Sequence, residues 1–208
     1  MNPNWAEENL QTIRTLMERS AVYRRALAPI MIYVGVIGIG GGVIGCWRNI
    51  DSARGFVFLW FSIAVVAIAG AFLLVRRQAL KADEPFWSSP TRRVTHALFP
   101  ALFVGAIAGL TSAWIPSLAL IHEYDLPAVW ILLYGCALQA AGFFMIRGVK
   151  FFGQLFLICG ACLILARYWI GGHLLLTQNH TIMGEFFGGL HLAYGIYLYF
   201  TEKKTPVA

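Results

Sequence analysis

Apolar and polar positions along this chain fall into long blocks. Six stretches are nearly free of charge, at 26–47, 55–75, 97–118, 127–146, 151–170 and 182–200. Each approaches the length of about 20 apolar residues that a helix needs to cross a bilayer core. Hydrocarbon offers the backbone no hydrogen-bond partners, so a spanning segment is a helix or a strand of a closed barrel. Barrel strands alternate in polarity, and these blocks do not. The pattern predicts an all-α polytopic membrane protein with six transmembrane helices across residues 26–200 and a cytoplasmic tail at 201–208. Residues 1–25 carry a different signal. Leu10, Ile13, Met17 and Ala21 follow the spacing of one helix face, with Asn4 and Glu7 in a capping-box arrangement. They predict an amphipathic cytoplasmic helix lying on the membrane or on the inner loops.

Within the apolar blocks the chain repeats itself. Ala26-Leu27-Ala28-Pro29-Ile30-Met31 is echoed by Ala97-Leu98-Phe99-Pro100-Ala101-Leu102, and Ala69-Gly70-Ala71-Phe72 by Ala141-Gly142-Phe143-Phe144. A repeat spanning two apolar runs predicts tandem helical hairpins at 26–76 and 97–147, with 151–200 as a worn third copy. Pro29 and Pro100 are expected in the first turns of helices 1 and 3, where no intrahelical donor is lost. The pairs Gly38/Gly42, Gly41/Gly45 and Gly105/Gly109 have the spacing that lets helix backbones approach closely in lipid. Trp47, Trp114 and Trp169 mark the interfacial ends of the odd helices. The polar, proline-bearing stretch 76–96 is expected as a connecting loop.

Charge orients this scheme. Aliphatic, aromatic and Cys residues make up 59% of the chain and charged residues only 12%, about half the share usual in soluble domains. Thirteen of the 16 Lys and Arg residues lie in the arm, the 76–96 loop, the 147–150 turn and the tail. Those segments should face the cytoplasm, with both termini inside, as in a bacterial inner membrane. The net charge of +6 thus reflects topology and implies anionic lipid headgroups as a partner, not nucleic acid. Helix 1 is expected to serve as an uncleaved insertion signal, because the first 25 residues lack the pattern of a cleaved one.

Few residues offer chemistry. His191 falls mid-span beside Gly184, Gly188 and Gly195, whose spacing predicts one inward-facing stripe. An ionisable group at that depth is a functional candidate, and the other reading is a histidine bonded to a carbonyl, Gln139 or Gln154. Arg167 and Glu185 stand near the outer ends of helices 5 and 6 and are expected to form an ion pair, with ligand binding by Arg167 as the other reading. His122, His173 and His180 are weak metal candidates without tight ligand spacing. Cys159-Gly160-Ala161-Cys162 sits inside a helix, where small-residue packing outweighs redox work. No catalytic constellation and no cofactor can be named. The expected ligand-binding set is His191, Gln139, Gln154, Glu185 and Arg167.

The arm Asn9–Ser20, the segment Leu126–Gly135 and the run Phe187-Gly188-Gly189-Leu190-His191 resemble a family of uncharacterised bacterial multi-pass integral membrane proteins. Members of that family look like companions of winged-helix transcription regulators, so the resemblance implies a cytoplasmic regulatory partner and supplies no catalytic residue. Three functions follow as expectations. Binding or transport of a small solute or ion within the bundle comes first. A membrane sensor contacting a cytoplasmic regulator is the alternative, and a metal- or haem-linked redox protein is the weaker one. An oligomer is compatible with each.

Overall fold

The computed structural model describes residues 27–81, 87, 89–118, 121, 124–170 and 179–202. The expected amphipathic arm 1–25, His122, His173 and tail residues 203–208 lie outside these. Every regular element among the described residues is helical. Helix α1 is Leu27–Trp47, α2 is Ala53–Lys81 and α3 is Ser89–Trp114, and a short 3-10 turn follows at Pro116–Leu118. Helices α4, Leu126–Ala141, and α5, Arg147–Ile170, come next. The last rod joins α6, Asn179–Ile182, to a π-helical segment, Met183–Gly189, and to α7, Leu190–Glu202.

Helices α1, α2, α3 and α5 are each long and apolar enough to cross a membrane. They also turn large apolar side chains outward, among them Val43, Phe58, Val65, Phe103, Phe151 and Ile158. Water would penalise so much exposed hydrocarbon, whereas lipid would not. Helix α4 has 16 residues and spans about 24 Å.

Missing side chains decide which helices meet. Between α4 and α5, a Cβ added at Gly135, Gly142, Gly153 or Gly160 would fall 2.7–2.9 Å from the facing backbone. The facing partners are Leu157, Lys150, Gln139 and Leu132, so each step along α5 is matched by an equal step back along α4. The two helices are antiparallel in one fixed register, joined by a tight turn whose Gly142 N–H donates to the Leu138 carbonyl. The second close pair joins α1 to the last rod. A Cβ at Gly38 would lie 2.8 Å from Gly188 Cα, and one at Gly42 2.8 Å from Gly184 Cα. Gly35 faces Leu192 and Gly195 faces Ile32 in the same antiparallel sense.

Several expectations are corrected. Pro100 lies inside α3 and not in its first turn, because the helix starts at Ser89. Helix α2 likewise runs on through Arg76, Arg77 and Lys81, so most of the expected 76–96 loop is helix. In α2 the strong helix formers Arg76, Arg77, Gln78, Leu80 and Lys81 carry the helix past its apolar block, and in α3 it is Pro90 that lies in the first turn. The Gly105/Gly109 pair receives a side chain instead of a helix backbone. Trp130 Nε1 donates to the Gly105 carbonyl at 2.8 Å, and a Cβ at Gly109 would sit 2.6 Å from the Trp130 ring. The closest helix pairs cross the boundaries of the expected hairpin repeats. The echoed glycines of the first two repeats meet different elements: Gly70 faces Tyr33 of α1 and Gly142 faces Lys150 of α5.

Neighbouring helices alternate in direction, so the chain has two chemically distinct ends. One carries Arg76, Arg77, Lys81, Arg92, Arg93, Arg147 and Lys150. The other carries Trp47, Trp114 and Trp169, all exposed, and its three described arginines, Arg48, Arg54 and Arg167, each meet a neighbouring group. There Arg54 Nε on α2 donates to the Ala113 carbonyl on α3 at 3.1 Å.

Candidate functional site around His191

The buried centre of the bundle is aromatic and holds one imidazole. His191 is 0% exposed. Its ring is enclosed by Tyr134 of α4, Phe152 and Phe156 of α5 and Phe187 of the π-helical segment, with centroids 4.7–5.3 Å away. Tyr134 also meets Phe156 and Phe187 edge-on, so the rings form one interlocked cage. Aromatic pairs at such separations add about 0.5–1.5 kcal/mol each beyond burial.

Both ring nitrogens face oxygen. Nδ1 lies 2.6 Å from the Phe187 carbonyl, which can only accept, so Nδ1 carries a proton. Nε2 lies 2.8 Å from the Tyr134 hydroxyl. In the Nδ1–H tautomer, the phenol donates to the Nε2 lone pair and every polar atom of the pair is satisfied. An added proton would also find a partner, because the phenol oxygen can turn to accept. The hydroxyl contact can therefore persist in either state of the imidazole, within a cage of four aromatic rings set tilted or edge-on to it.

The π-helical segment explains why His191 points this way. Wider turns of this kind are rare in helices and often mark functional sites. The expected stripe of Gly184, Gly188, His191 and Gly195 does not hold as one face. Gly184, Gly188, Leu192 and Gly195 meet α1, and His191 is turned from that stripe toward α4 and α5.

The other expected ligands do not converge on it. Gln139 is half-buried on α4, where its backbone faces Gly153, and Gln154 is exposed on α5. Glu185 is also exposed, on the outer surface of the π-helical segment. Arg167 does not pair with Glu185. Its Nε reaches the Asp125 carboxylate at 2.8 Å, and its guanidinium lies 5.7 Å from the Tyr124 ring centroid. The α4–α5 register accounts for this, since continuing it outward brings residue 125 opposite residue 167.

His180 is not a free metal ligand. Trp60 Nε1 donates to its Nδ1 at 3.1 Å, and its Nε2 donates to the Ile50 carbonyl at 2.9 Å. Among the described residues no three His, Cys, Asp or Glu side chains cluster to hold a metal ion. Cys159 packs against the core while Cys162 is exposed, so the C-x-x-C thiols look in different directions.

The sequence pointed to His191 but not to Tyr134 or Trp60, nor to Asp125 as the partner of Arg167. One signal was available for Tyr134: a phenol inside an apolar run needs a partner for its polar tip. Comparison with protein-family models, with curated proteins and with solved structures finds no match to this chain.

Proposed function

We propose that this is a bacterial inner-membrane protein that binds or moves a small ion or solute within its helix bundle, with the His191–Tyr134 pair as its reactive centre. One observation carries the reading. A fully buried imidazole has both nitrogens opposite oxygen atoms, so it can take up and release a proton without losing either contact. Intramembrane ionisable groups are costly to keep and commonly serve ion or proton pathways. In this reading α4 and the last rod complete six crossings, the basic end faces the cytoplasm, and anionic headgroups line that side.

Proteoliposomes test it directly, with a pH-sensitive dye in the lumen and an imposed potassium diffusion potential. Wild-type protein should carry protons faster than empty vesicles, and His191→Gln and Tyr134→Phe should each remove most of that flux. Native mass spectrometry of the same preparations would reveal a co-purified solute. Wild-type flux equal to that of empty vesicles, with no bound solute, would refute the proposal.

The alternative is a membrane sensor that contacts a cytoplasmic regulator, and it too draws on a specific observation. Helix α2 has 29 residues and is about 43 Å long, well beyond the roughly 30 Å of a hydrocarbon core. Its excess carries Arg76, Arg77 and Lys81 past the apolar region, where they would meet headgroups or an acidic protein surface.

A further inference from the structure

A second histidine on the last rod is held by an arrangement that the ion-binding reading does not use. His180 stands at the end opposite the basic one, where the rod meets α1, α2 and the connection between them. Its Nδ1 accepts from Trp60 on α2, and its Nε2 donates to the carbonyl of Ile50 in that connection. Phe56 lies against the ring with centroids 5.0 Å apart. On the α1 side Gly45 lies so close beneath the imidazole that a Cβ there would overlap it. The adjacent Thr181 hydroxyl meets Cys46 Sγ at 3.4 Å. One small ring thus ties three elements together at 7% exposure.

The chemistry of this tie is one-sided. An indole N–H can only donate, so the Trp60 contact requires a lone pair on Nδ1. The imidazole is therefore fixed as its Nε2–H tautomer, opposite to that of His191. A proton added to His180 goes to Nδ1 and sets two N–H donors face to face. The Ile50 contact survives and the Trp60 contact cannot. His191 differs, because its hydroxyl partner can switch from donor to acceptor.

We propose that the His180–Trp60 contact is a proton-operated latch that holds the last rod to α2 when His180 is neutral and releases it when His180 is protonated. Trp60 is buried at 3% exposure and meets Phe187 edge-on at 6.5 Å, and Phe187 is also part of the His191 cage. Movement of the indole would therefore reach the rod at two points. Among the described residues, no charged or other titratable side chain of the elements around the latch is hydrogen-bonded to the ring, and Arg48 lies over the Trp47 ring at 5.6 Å. Cys46 is on Thr181, Arg54 is on the Ala113 carbonyl, Asp51 is an exposed residue of the connection and Glu185 faces outward. The state of the latch is therefore read at the His180 ring, whose only hydrogen-bond partners among the described residues are Trp60 and Ile50. The latch does not depend on ion handling at His191, whose failure in vesicles would leave it standing.

Ultraviolet resonance Raman spectroscopy of the full chain in nanodiscs tests this, because one indole band reports N–H hydrogen bonding. The Trp60 contribution is isolated as the difference between wild type and Trp60→Phe. Between about pH 8 and about pH 5, the hydrogen-bonded component of that difference should fall severalfold. In His180→Gln, whose side-chain oxygen can accept from Trp60 and whose amide can donate to Ile50, it should stay constant. Nitrogen-15 spectra of histidine-labelled wild type supply a readout that needs no variant at position 180. They should show His180 as Nε2–H at neutral pH and gaining its Nδ1 proton in step with the Raman change. A Trp60 band that persists while His180 gains its proton would overturn the latch. So would a band change that survives in His180→Gln, or a His180 that stays unprotonated down to about pH 5.

Discussion

Replacing Tyr134 by Phe removes one oxygen and leaves His191 Nε2 facing carbon in the middle of the bundle. A buried acceptor stripped of its donor costs about 1–3 kcal/mol. Tyr134→Phe should lower the unfolding free energy of the detergent-solubilised protein by that amount. Combining it with His191→Phe should cost less than the sum of the two single changes, since the second removes the orphaned acceptor. Strict additivity in that cycle would show that the pair does not interact. A spectroscopic check is independent of stability: nitrogen-15 spectra at neutral pH should give His191 as Nδ1–H and His180 as Nε2–H. His191 is inward as expected but by another route, since the glycine stripe that suggested it meets α1 while the imidazole turns to α4 and α5. Its pairing with Tyr134 was not legible, although the phenol's own need for a partner was. Gln139 and Gln154 drew attention by polarity, yet facing His191 depends on the rotation of α4 and on a π-helical segment that no spacing rule announces.

At the scale of elements, glycine decides which helices touch, and the α4–α5 register has consequences that can be measured. Gly153→Val or Gly160→Val would push a branched side chain into the opposing backbone and should destabilise by about 1–3 kcal/mol or more. The same substitution at Gly40, which faces open space, should cost far less. That register also assigns the ion pair. A double-mutant cycle on Arg167 and Asp125 should give a coupling of about 0.2–1 kcal/mol, the range for partly exposed pairs. A cycle on Arg167 and Glu185 should give none, and the reverse result would disprove the register. Small-residue pairs were plain in the sequence, but their partners were not. Gly38/Gly42 meets a second glycine pair, whereas Gly105/Gly109 makes room for Trp130, and both read alike along the chain. Pro100 misled for a related reason: a missing N–H marks a helix start, yet Pro90 already occupies the first turn of α3 and Pro100 falls in its interior.

For the whole molecule, the apolar blocks and the uneven charge were the most legible features, because the solvent around a protein writes itself into every exposed position. The described helices coincide with those blocks to within a few residues, apart from the basic extensions. Single introduced cysteines on a background lacking the native four read out the orientation. An impermeant thiol reagent applied to intact cells should label Ser52→Cys and leave Lys81→Cys untouched until the cells are opened, and the opposite pattern would invert the topology. The pairing of α1 with the last rod also bears on how the chain is made. Gly42 leaves the ribosome about 140 residues before Gly184, its partner. At synthesis rates of roughly 5–20 residues per second, that gap lasts roughly 7–28 s. Throughout it the first helix stands in the bilayer with its glycine groove open to lipid or to any passing helix. A nascent chain in that interval is a natural client for a membrane insertase or chaperone, and truncations that lack the last rod should be cleared by quality-control proteases even though most of the bundle is present.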